Sequence, residues 1–149
     1  MVKAFTLVEI LITLALMSFF AVVLFPFTIG SVNNANLGAE SANLASAIFK
    51  VQQDAFASEN NLNYGIRLNA NSYSVLSGAD VASLTVSDTI NLKTPLFISN
   101  INLTGGTKDI IFAKSNLQPN ASGTFIVSNG SESYTFNINN EGLVEYQKI

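Results

Sequence analysis

Met1-Val2-Lys3-Ala4-Phe5-Thr6-Leu7-Val8-Glu9 opens the chain, and Glu9 is the only charged residue in a run that stays largely apolar from Phe5 to Ile29. As a helix that run would extend roughly 37 Å at ~1.5 Å per residue, against a hydrocarbon core of ~30 Å. It is therefore long enough to span a membrane. An acidic side chain inside such a segment costs on the order of 2.5–3.5 kcal/mol at the helix centre and somewhat less near an end, so its presence marks a pairing site.

The stretch Lys3-Ala4-Phe5-Thr6-Leu7-Val8-Glu9-Ile10-Leu11-Ile12 resembles the processing and methylation motif of type IV prepilins and type II secretion pseudopilins. The resemblance implies that a membrane-embedded prepilin peptidase and methyltransferase cuts between Ala4 and Phe5 and N-methylates Phe5. It implies further that Glu9 meets the terminal amine of a neighbouring subunit during assembly on an inner-membrane platform. The family most often carries Gly before the cut, where this chain has the small Ala4.

The chemistry of the residues agrees with that expectation. Glu9 lies four residues after Phe5, one helical turn deeper, so an amine freed at Phe5 comes near the depth of the carboxylate. An opposite charge at matching depth offsets the burial penalty, and a staggered neighbour supplies it. The bland alternative is a single-pass anchor whose Glu9 snorkels toward Lys3 at the interface. A secretory signal peptide fits less well, because the apolar run is longer than an ordinary h-region and contains Glu9. Lys3 favours a cytoplasmic N-terminus and an exported remainder.

The 149 residues hold one anchor and one compact core, not two. A net charge of −3 makes nucleic acid an unfitting partner. With no cysteine the exported part is held by packing alone, unlike the many major pilins that close a loop with a disulfide. There is no histidine and no paired-carboxylate motif, so the chain reads as a processing substrate and not an enzyme, with no cofactor and no metal.

Pro26 removes a backbone donor and Gly30 follows, so a helix bend is expected there. From Ser31 to about Ser58 helical period returns, with Leu37, Leu44, Ile48, Val51 and Ala55 on one stripe and Glu40, Lys50 and Asp54 largely off it. Glu59-Asn60-Asn61 is the expected stop. The rest reads as seven or eight short strands. A hairpin joins 63–68 to 72–76, and further runs cover 83–92, 96–103, 109–113, 123–128, 133–138 and 143–146. Asn129-Gly130 is the strongest turn signal, read as type I′, with Asn140-Glu141-Gly142 next.

Asn63-Tyr64-Gly65-Ile66 with Tyr73-Ser74-Val75, then Ile110-Ile111-Phe112-Ala113, Gly123-Thr124-Phe125-Ile126-Val127 and Ile138-Asn139-Asn140-Glu141-Gly142-Leu143-Val144, are similar in order to the exported domain of H-type minor pseudopilins and related minor pilins. The expected fold is α+β: a long bent N-terminal helix, transmembrane in its first half, packed on an antiparallel sheet or sandwich. The expected divisions are a leader at 1–4, a transmembrane and assembly segment at 5–29, an amphipathic continuation at 30–60 and an exported β-rich domain at 61–149.

The function these readings converge on is a structural subunit, a minor pilin or pseudopilin, of a type IV pilus-like or type II secretion filament. Its partners would be other pilin subunits, the peptidase, the assembly platform and, before assembly, the lipid of the bacterial cytoplasmic membrane, with the filament itself extracytoplasmic. A major pilin or a DNA-uptake pseudopilin is the alternative within the family. A membrane-tethered binding domain that never polymerises is the alternative outside it.

Overall fold

The structure, a computed structural model, describes residues 6–149, with the side chains of 24–31 outside the description. The chain falls into two compact units, Met1–Ala35 and Asn36–Ile149, and one helix, α1 (Leu7–Phe56), contributes to both. The second unit adds eight strands: β1 (Asn63–Leu68), β2 (Ser72–Gly78), β3 (Thr85–Asn91), β4 (Phe97–Leu103), β5 (Asp109–Phe112), β6 (Gly123–Ser128), β7 (Ser133–Ile138) and β8 (Val144–Lys148). The fold is thus α+β, with two antiparallel four-stranded sheets in the orders β3-β2-β1-β5 and β4-β6-β7-β8.

Each element follows from local chemistry. The stripe Leu37, Leu44, Ile48, Val51 and Ala55 is buried throughout, because its spacing keeps one helix face on the sheets. It meets Ile66, Leu68, Ile110 and Phe112 of the first sheet and Phe125, Val127, Phe136 and Ile138 of the second in a single core. At ~1.5–3 kcal/mol per fully buried large apolar side chain, this core is the main term favouring the fold. The helix stops where Ser58 turns left-handed (φ 54°), and the freed carbonyl of Ala55 accepts the Ser115 N–H at 2.8 Å.

Two expectations need correction. Glu40, placed largely off the buried stripe, is itself buried, because its carboxylate reaches Lys93 at 3.5 Å and the long, exposed lysine stem carries the countercharge to it. The turn at Asn129-Gly130 is not type I′. Only Gly130 has positive φ (89°), at the first central position between Asn129 and Glu132, which is the type II′ pattern. Asn129 stands outside the central pair, its Oδ1 accepting the N–H groups of Ser131 and Glu132 at 2.9 and 2.8 Å.

Among the described residues no helix is long and apolar enough to cross a membrane. The expected span, 5–29, takes in Phe5 and side chains from 24 onward, which lie outside the description. The described apolar side chains from Leu7 to Val23 cover roughly 25 Å of helix. The bend expected at Pro26 and Gly30 also falls on side chains outside the description, and the unit boundary lies after Ala35, a few residues beyond the expected division at 29.

Candidate assembly segment at the helix start

Thr6 precedes the first helical residue, Leu7, and Glu9 is the third residue of the helix. Oε2 of Glu9 accepts the Thr6 backbone N–H and the Thr6 hydroxyl, both at 3.0 Å, while the Glu9 N–H donates to Thr6 Oγ1 at 3.3 Å. This is a capping box: each side chain closes a backbone donor that the first turn would otherwise leave open. A carboxylate in the first turn also sits at the positive end of the helix dipole.

The cap commits only one carboxylate oxygen. Oε1 of Glu9 receives no bond from any described residue and stays available to an external cation. Around it, Leu7, Val8, Ile10, Leu11, Leu14, Met17 and Phe19 are all exposed, up to 76% at Leu7, with Val22 at 75% at the far end. An apolar helix exposed on every side is unlike the one-sided stripe of residues 37–55 and calls for an apolar environment all round. Phe19 and Phe20 touch edge to face at 6.1 Å, a contact between helix neighbours that buries neither.

Of the residues singled out in the sequence, Glu9 is therefore placed in a defined network. Ala4 and Phe5 lie outside the described residues, so the processing site and the distance from Phe5 to Glu9 are outside them too. Thr6 is the residue sequence reasoning passed over, although its spacing from Glu9 is the ordinary capping-box signature. Among the described residues no three acidic, histidine or cysteine side chains come together to hold a metal ion. No family model, curated protein or solved structure matches the chain.

Proposed function

We propose that this protein is a structural subunit, a minor pilin or pseudopilin, of a type IV pilus-like or type II secretion filament. The observation that carries the reading is Glu9: one carboxylate, half committed to its own helix cap, at the start of a helix whose large apolar side chains from Leu7 to Val23 are exposed. In the proposed pathway the leader is cut between Ala4 and Phe5 and the new Phe5 amine is methylated. The subunit waits as a single-pass protein of the bacterial cytoplasmic membrane, its β domain exported. The Phe5 amine of one subunit then pairs with Glu9 of the next, guiding extraction from lipid and fixing axial register, while the apolar helices pack together as the filament core. A bend at Pro26 and Gly30, expected from the sequence, would let the helix follow that packing. Partners are other subunits, the peptidase and the inner-membrane platform.

The capping box sharpens the test, because glutamine serves at that position as well as glutamate. Glu9→Gln therefore keeps the cap and removes the charge. The expected result is normal cleavage, read by intact mass with N-terminal fragmentation as a chain starting at methylated Phe5, together with reduced incorporation into filaments. Incorporation equal to the parent's would overturn the pairing, and a monomeric chain that retains Met1 would point to a tethered domain that does not polymerise.

A further inference from the structure

Four strands end the two sheets: β3 and β5 in one, β4 and β8 in the other. Two of these edges are closed and a third is interrupted by a bulge. On β5, Ile111 donates to Asn120 Oδ1 at 2.7 Å and accepts the Asn120 N–H at 2.8 Å. On β4, the Ile98 N–H is taken by the Ala70 carbonyl at 2.7 Å, and left-handed Asn100 (φ 49°) breaks the line. On β3, a bulge interrupts the pairing with β2 and breaks the regular line of the edge. These are the usual guards against strand addition.

β8 has none of them. The bonds from Ile149 N–H to Ser133 and from Asn139 N–H to the Leu143 carbonyl, at 2.9 and 3.1 Å, set the phase of the β7–β8 ladder. Odd-numbered residues of β8 face β7, so the N–H and C=O groups of Val144, Tyr146 and Lys148 point outward, and no described residue bonds them. On the inner face an aromatic ladder runs to this edge: Phe125 stacks on Phe136 at 4.7 Å and Phe136 on Tyr146 at 5.2 Å. Phe136 is fully buried, whereas Tyr146 is 41% exposed.

Beside Tyr146 lies an apolar groove of about 630 Å³, walled by Ala45, Phe49, Leu117 and Leu143, with Phe49 60% exposed. Gln52, nine-tenths buried in its wall, spends Nε2 on two carbonyls and leaves Oε1 without a bond. Glu141 precedes the strand and Glu145 lies on it, and neither is in an ion pair; every ion pair of the described residues involves other carboxylates.

We propose that the outer edge of β8 and this groove bind an extended segment of another protein by strand addition. The segment carries large apolar side chains toward Phe49 and Tyr146 and basic ones on the opposite face, beside Glu145. Charge decides between a foreign strand and a second copy. Two β8 strands paired about Tyr146 set Glu145 opposite Gln147 and Val144 opposite Lys148, leaving the Glu145 carboxylates without a cation. This inference goes beyond the filament reading and does not rest on it.

The test is hydrogen exchange of residues 143–149 in the full-length chain in detergent, with three synthetic peptides: KVKFKVK, EVEFEVE, and KVKFKVK N-methylated at alternate residues. KVKFKVK is expected to slow exchange of the outward amides. The acidic and N-methylated peptides should leave them unchanged. Glu145→Lys should weaken KVKFKVK about tenfold. Phe49→Ser, also at an exposed position, should lower the protection further. Equal protection by the acidic or N-methylated peptide, no protection by KVKFKVK, or protection that rises with protein concentration in the absence of peptide would each overturn the proposal, the last in favour of a second copy.

Discussion

Gln52 on the helix holds Gly142, 90 residues further along the chain, through an Nε2 to carbonyl bond of 3.1 Å, and the same amide holds the Leu117 carbonyl at 2.9 Å. One side chain thus ties the helix to two loops. Gly142 has φ 87°, and a Cβ there would run into both Gln52 Nε2 and the Leu117 oxygen. Gly142→Ala is therefore expected to lower stability by about 2–4 kcal/mol, from left-handed strain and loss of these bonds together. A chemical denaturation curve of the variant checks it; a loss below 1 kcal/mol would mean the turn re-forms elsewhere.

Phe136 lies between Phe125 and Tyr146 with interplanar angles of 12° and 14° and has no exposed surface. Phe136→Ala should cost about 3–5 kcal/mol, a large share of the total for a domain of this size. Phe136→Leu, which keeps most of the volume, should lose appreciably less. The comparison of denaturation midpoints separates packing from simple loss of apolar area.

Thr6→Ala removes the hydroxyl half of the capping box and should destabilise the first turn by about 1 kcal/mol. Amide exchange localised to Leu7–Ile10 would report it. No change is expected in the thermal transition of residues 36–149, whose core contains no described side chain from the first unit.

Burial, with the Glu40 and Asp88 carboxylates nearby, pushes the Tyr73 phenol above its ordinary value of 10.0. The unfolded chain then releases this proton at lower pH than the folded one, so stability present below about pH 10 is lost as pH climbs through and beyond it. Tyr73→Phe should be nearly silent at neutral pH and should blunt the alkaline loss. A phenolate absorbance titration compared with that of Tyr73→Phe should place the Tyr73 ionisation above its ordinary value of 10.0.

Much of the second unit is legible in the sequence, and for a definite reason. The stripe from Leu37 to Ala55 and the alternation in Tyr134, Phe136 and Ile138 are local periodicities, and burial follows period directly. What was not legible is non-local. The pairing of β1 with β5 joins Tyr64 to Phe112 across more than forty residues, and no period encodes which strands become neighbours. Glu40 was misplaced because its countercharge comes from Lys93, far away in sequence. The type of the 129–132 turn was set by the register Ser128 to Ser133, not by the Asn-Gly dipeptide. At the helix start, the cap was written in Thr6 and Glu9 themselves, yet reading Glu9 solely as an intermolecular group hides it.

Among the described residues the core that holds both sheets begins at Leu37, and no described side chain before it takes part. The β domain accordingly carries its own thermodynamic insurance: whatever solvent meets Leu7–Val23, whether acyl chains, detergent or neighbouring helices, can be exchanged without loosening the layers that bury Phe125 and Phe136.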